Sequence, residues 1–302
     1  MNTTTPTTQK ISYDDLPALY RAADKASTIA QKQFVKLTAI NLGLLILSAI
    51  VGSLALSNAS EKTALAITSA VLLTISIFVT IAIRMTKLEQ AWYDGRAIAE
   101  SVKTMAWRYM TGTDPYYINL GEKADSLFID NLSLLTDERK TFVARLSNKL
   151  AMGKQITDKM KSVRNLDTET RKAVYLSERI DDQRKWYSDK SEANLRSANK
   201  FFAGTIISQA LAIISSFIII IWPRLQVRFT GIFTTLIAAF MTWTQMKRNE
   251  QLAQSYGLAA HELHFIHAKA AQIKTDDELS HYVINSENAI SREHTMWLAR
   301  RS

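Results

Sequence analysis

Three histidines in the run HELHFIH, at His261, His264 and His267, come nearest to a metal-binding pattern in this chain. A zinc-protease helix needs HExxH, which puts two histidines on one face with the glutamate between them as base. Position 265 is Phe instead, and three-residue steps advance about 300° each, so these rings drift around a helix rather than converge. Gly112, Gly121 and Gly153 are isolated and form neither GxGxxG nor GxxxxGK[ST], so no phosphate cradle is legible. The absence of cysteine removes disulfides, thiolate catalysis and the usual structural zinc sites. No Ser/His/Asp set or carboxylate pair stands at a readable spacing. The residues therefore point to no enzyme, no cofactor, and neither a catalytic nor a metal site.

Polar residues with a legible role lie inside apolar runs. Thr205, Ser208, Gln209, Ala212, Ser215 and Ser216 make a stripe of helical period, and Asn41, Ser48 and Gly52 make a sparser one. Hydroxyls and amides can replace part of an ion's hydration, so Asn41, Ser48, Thr205, Ser208, Gln209 and Ser215 are candidates to line a pore. Small and hydroxyl residues also let helices pack, through hydrogen bonds worth roughly 0.6 kcal/mol each. Both readings stand for Gln209 and Asn41. Gly231, Thr235 and Ala239 suit helix contact.

The elements carrying these stripes are the charge-free runs Leu37–Ser60, Thr63–Ile83, Phe201–Trp222 and Phe229–Met246. A bilayer core needs about 20 apolar residues of helix, and each run approaches or exceeds this. Thr230, Thr234, Thr235, Thr242 and Thr244 dilute the last, which is expected to insert beside its neighbour. The expected fold is all-α and integral to the membrane: four transmembrane helices in two hairpins, with long cytoplasmic helical extensions. The net charge of +9 suggests nucleic acid at first sight, but the basic residues alternate with acidic ones and crowd the ends of the hairpins. The reading is therefore a lipid bilayer partner and no nucleic acid. Lys32 and Lys36, Arg84 and Lys87, Arg196 and Lys200, and Lys247 and Arg248 flank the hairpins and place both termini in the cytoplasm. Arg224 and Arg228, in the loop after Pro223, oppose that orientation.

Residues 1–10 read as a disordered tail with no secretory signal peptide. A first hairpin domain is expected over 11–112, a cytoplasmic helical linker over 113–169 and a second hairpin domain over 170–302. The exit helix of the first hairpin should end at Asp114-Pro115, and Thr136-Asp137-Glu138 should start a helix in the linker. Asp167 is a plausible N-cap for one helix of about 55 residues, about 80 Å long, running to Trp222. Ala91, Gly95, Ala97 and Glu100 match Ala253, Gly257, Ala259 and Glu262 without a gap, each set following a hairpin, which suggests tandem duplication.

The exit text AWYDGRAIAESVKTMAWRYM, through Trp92, Tyr93, Arg96, Ala97, Ala99, Glu100, Ser101, Lys103 and Trp107, resembles the SLATT family. The entry to the second hairpin resembles a different subgroup through Tyr175, Arg179, Gln183, Trp186, Tyr187 and Lys190, with Glu293, His294 and Trp297 near the end. The resemblance covers about residues 13–112 and 170–302. It implies a prokaryotic inner-membrane effector that accompanies nucleotide-signalling defence systems. Its hairpins would assemble as homo-oligomers into a pore or membrane-disrupting assembly, triggered by a cytoplasmic nucleotide-sensing or nucleotide-producing partner. No such sensing or synthesising domain is appended here.

Physically, Arg96 and Glu100 form an i,i+4 pair, and the aromatic residues beyond the spans suit helix packing better than an interfacial belt. Trp92, Tyr93, Arg96 and Glu100 of one helix, with Arg179, Gln183, Trp186, Tyr187 and Lys190 of the other, are the candidates for coupling. A non-conducting scaffold or sensor that binds a cytoplasmic partner is the alternative. Reporter fusions test the topology: Asn131 and Ser302 should report cytoplasm and Ser60 the outside, and an external signal at Asn131 or Ser302 would contradict it.

Overall fold

The computed structural model describes residues 10–54, 59–144, 146, 152–222 and 229–299, with the side chains of 292–299 excepted. The expected tail before Lys10, the loop bearing Arg224 and Arg228, and the side chains of Glu293, His294 and Trp297 lie outside them. Among the described residues the regular structure is helical. α1 is Ala18–Ser53, α2 Ala59–Thr86, α3 Leu88–Thr111, α4 Lys123–Glu138, α5 Lys140–Val143 and α6 Asp158–Arg164. α7, Thr168–Tyr175, runs through a π-helical turn, Leu176–Asp181, into α8, Asp182–Ile221. α9 is Thr230–Lys247, α10 Asn249–Lys269 and α11 Asp276–Ala299.

Three stretches, Ala18–Ser53, Ala59–Thr111 and Thr168–Ile221, are long and apolar enough to cross a membrane. The run expected as a fourth span forms α9 but is not among them, because its threonines together with Gln245 and Lys247 dilute its apolar residues. Asp167 caps the long helix as its sequence suggests, accepting the Thr170 backbone N–H at 2.9 Å. Thr136-Asp137-Glu138 is a correction: it closes α4 instead of starting a helix. The Thr136 hydroxyl donates back to the Ser133 carbonyl at 2.7 Å, so it sits inside a last turn and leaves no cap for a following one.

The chain divides into two compact units that each draw on both halves of the sequence. One, Gln31–Leu88 with Ser191–Gln254, holds the apolar runs. Its hairpins close through short polar contacts and small residues. Ser76 donates to Asn41 at 2.6 Å, Asn41 donates to Thr80 at 3.2 Å, and the Ser48 and Ser69 hydroxyls lie 2.8 Å apart. In the second hairpin Ser215 and Thr230 lie 3.1 Å apart, and a Cβ on Gly204 would stand 3.2 Å from the Phe240 ring. Phe78, Phe217 and Ile220 stay exposed, which suits a surface solvated by lipid.

The helix breaks after α2 and after α9 both fall at a basic residue with positive φ, Lys87 at 48° and Arg248 at 49°. The Arg248 N–H donates to the Thr244 carbonyl at 2.8 Å, closing the αL cap that ends α9. The same device at both breaks adds to the repeat seen in the sequence.

The other unit comprises Met1–Ala30, Glu89–Lys190 and Ser255–Ser302. Its centre is α3, whose Val102, Ala106, Trp107, Tyr109 and Met110 are buried. Gly95 lets α1 approach: a Cβ there would stand 3.1 Å from the Ala23 carbonyl and 2.7 Å from the Phe142 ring. The stretch expected as a linker folds against α3. Tyr109, Tyr116 and Phe128 form a ring cluster with centroids 5.2 to 6.1 Å apart. The buried Arg164 donates to the carbonyls of Tyr109, Tyr116 and Tyr117 at 2.7 to 2.8 Å.

Candidate functional site

An ion pair lies within this aromatic unit, on residues from three helical segments. Arg179 comes from the π turn, where one extra residue rotates the helix face relative to α7. Such turns occur often at functional sites. Its Nε and Nη2 donate to the two carboxylate oxygens of Glu287, on α11, at 2.9 and 2.8 Å. The Tyr175 hydroxyl donates to one of those oxygens at 3.0 Å and the Thr104 hydroxyl of α3 to the other at 2.7 Å. Side-chain exposure is 1% for Arg179 and 0% for Glu287, so neither charge could stay buried without the other.

Burial alone would lower the Arg179 pKa, but Glu287 beside it raises the value above the usual one and keeps the guanidinium charged. Burial first, and then the Glu287 carboxylate, push the Tyr175 phenol well above its ordinary range. Lys103, one turn before Trp107 on α3, is held below its usual value by burial and then by the Arg179 charge. Gln183 accepts from Arg179 Nη1 at 3.4 Å, and the negative charge of Glu100 also favours the charged guanidinium.

Next to this pair stands Trp186. Its ring centroid lies 5.8 Å from the Arg96 guanidinium of α3 and 5.8 Å from the Lys190 ammonium. Tyr187 and Tyr256 pack edge-on against it at 5.3 and 5.2 Å, and Tyr187 stacks on Tyr256 at 5.7 Å. The half-buried Trp186 therefore joins α3, α8 and α10. Trp92 turns elsewhere: it is buried, and its carbonyl accepts the Ser27 hydroxyl of α1 at 2.8 Å. Tyr93 donates to Glu89 at 3.0 Å on its own helix.

The pore-lining candidates of the apolar unit have three placements. Asn41, Ser48 and Ser215 make the interhelical contacts given above. Thr205 and Ser208 donate to the carbonyls of Phe201 and Gly204, four residues back, at 2.9 and 2.8 Å. Gln209 lines a groove beside α9. Among the histidines, His261 and His264 are exposed, and His267 Nε2 lies 3.5 Å from Asp181.

Sequence reasoning missed Glu287, Thr104 and Arg164. For Glu287 a signal existed: Leu279, Tyr282, Val283, Ser286, Glu287 and Ile290 recur at helical spacing, so a carboxylate falls on the buried face of α11. A charge placed there demands a buried partner.

Long apolar helices in one unit and a helical unit tied by a buried ion pair mark an all-α protein with helices able to cross a membrane. A family model described as SMODS and SLOG-associating 2TM effector domain 3 matches residues 17–172, and the corresponding effector domain 1 matches residues 175–297. The first match alone spans more than half of the chain, which therefore belongs to the SLATT family, with two copies of different subgroups in tandem. No curated protein and no solved structure matches the chain.

Replacing Glu287 alone should leave Arg179 charged and unpaired in the interior, a loss of about 3 to 5 kcal/mol. We expect Glu287→Gln to lower the unfolding midpoint in detergent, followed by tryptophan fluorescence, and the double variant Arg179→Met with Glu287→Leu to recover most of it. Equal midpoints for Glu287→Gln and wild type would refute the structural role of the pair.

Proposed function

We propose that the chain is an effector of a nucleotide-signalled prokaryotic defence system, forming pores or disrupting the inner membrane as a homo-oligomer. The observation that carries this reading is the tandem of two 2TM effector matches over apolar helices that share one compact unit. On this reading α9 is the fourth span, inserted beside α8, and both termini lie in the cytoplasm. The aromatic unit receives the signal from a nucleotide-sensing or nucleotide-producing partner, and the chain itself catalyses no reaction. Oligomerisation follows from size, because two hairpins alone cannot enclose a path wide enough to dissipate ion gradients.

Coupling is assigned to the Trp186 junction. Arg96 belongs to the first copy and Trp186 to the second, so a change in the aromatic unit that shifts α3 against α8 acts on their contact. A discrete rearrangement of such a contact can bias both hairpins. One observation favours the scaffold alternative: Asn41 and Ser48 spend their polar groups within their own hairpin, as helix-packing residues do.

Trp186→Ala separates the two. It removes both cation–ring contacts, worth about 0.5 to 1 kcal/mol each at exposed sites, together with the packing of Tyr187 and Tyr256. The effector reading predicts at least a tenfold relief of growth inhibition with insertion and abundance unchanged. Wild-type inhibition by a normally abundant Trp186→Ala protein would remove the coupling role.

A further inference from the structure

A groove in the second hairpin, lined in part by Thr205 and Gln209, offers a use beyond the pore reading of those two residues. It encloses about 570 Å³, within the range of roughly 300 to 1,000 Å³ of sites that hold small organic ligands. Leu195, Phe202 and Ile206 form one wall at helical spacing, and Met241 of α9 faces them. From Leu195 to Gln209 the α8 wall runs about 21 Å at 1.5 Å per residue. Phe202, Ile206 and Met241 remain 68%, 48% and 50% exposed, so the wall is open to the side; Asn199, Thr205 and Gln209 stand among its apolar residues, and the Thr205 hydroxyl is taken up by the Phe201 carbonyl.

The far end differs in chemistry. A second hollow of about 520 Å³ shares Thr244, Gln245 and Glu250 with the first and adds Arg248 and Asn249. With Gln251 also lining it, its mouth combines a cation, an anion and three amides at the αL break where α9 ends. The two hollows share lining residues and together make one trough, mainly apolar along α8 and bearing Arg248 and Glu250 at the end of α9.

We propose that this trough is a binding site for a phospholipid with a primary ammonium headgroup, namely phosphatidylethanolamine. One acyl chain lies along Phe202, Ile206 and Met241. The phosphate meets Arg248 and the amide N–H groups of Gln245 and Asn249, while the ammonium donates to Glu250. Both signs at the mouth select the headgroup: phosphatidylglycerol brings no cation to offset Glu250, and the quaternary ammonium of phosphatidylcholine has no N–H to donate. The site rests on the reading of α9 as a span.

The full chain in mixed-lipid nanodiscs, examined by native mass spectrometry, tests this. Wild type should retain phosphatidylethanolamine about tenfold in preference to phosphatidylglycerol and to phosphatidylcholine. Ile206→Trp, which fills the apolar wall, should lose retention at least tenfold, and Glu250→Gln should keep a bound lipid but lose the preference. Equal retention of the three lipids by wild type overturns the proposal. So does an Ile206→Trp protein that keeps its lipid but changes oligomer size, since a second copy would then occupy the groove. Because the chain has no cysteine, Ala238→Cys on the exposed side of α9 reports the span separately. Labelling by an impermeant thiol reagent overturns both the span and the site, whereas an unlabelled Ala238→Cys without lipid preference overturns the site alone.

Discussion

The aromatic unit depends on opposite charges held in its interior. Glu287 accepts four hydrogen bonds, two from Arg179 and one each from Tyr175 and Thr104. These donors stand on α3 and on the α7–π–α8 helix, so one carboxylate of α11 fixes the register of segments from both copies. Apolar residues could fill the same volume at similar or lower cost. A bidentate pair adds direction, because a slip of one helix by a residue would strand a charge. The π turn at Leu176–Asp181 brings Arg179 into that geometry without ending the helix, which runs on through Trp186 and into the bilayer-length apolar segment.

Within the apolar unit the problem is reversed, since few polar groups must find partners among hydrocarbon. Asn41 does so with Ser76 and Thr80, and Ser48 with Ser69, each across the first hairpin. Thr205, Ser208 and Ser216 turn back on their own helix. Polar stripes that look alike in sequence therefore have two structural uses, cross-linking α1 to α2 and satisfying hydroxyls locally along α8. The periodicity of a stripe places its residues on one face but carries no information about which carbonyl a hydroxyl will choose.

The same distinction decides what was legible. Charge-free runs disclose the long apolar helices because insertion depends on composition summed over about 20 residues. Asp167 is legible because a cap is a local bond. Thr136-Asp137-Glu138 misleads because the Thr136 hydroxyl can bond forwards or backwards, and the preceding α4 offered it the Ser133 carbonyl. For α9 the runs of apolar residues are present, but its threonines bring the segment below the apolarity of the others. The meeting of Arg96 with Trp186 follows from aromatic and basic residues on the two exit and entry helices. Glu287 required knowing that a carboxylate on an otherwise apolar face had found Arg179, 108 positions away. The packing of α6 against α3 rests in part on Arg164 and its three carbonyls, a pattern that a lone arginine in the sequence does not announce.

Two effector domains of one family in tandem, over helices long and apolar enough to cross a membrane, suggest that the membrane is where the protein acts. The most direct test follows the membrane potential with a potential-sensitive dye in cells that express the chain together with its flanking genes. The account predicts depolarisation within minutes of induction, before growth or protein synthesis falls. A potential that holds steady while the full-length protein accumulates in the inner membrane would contradict it.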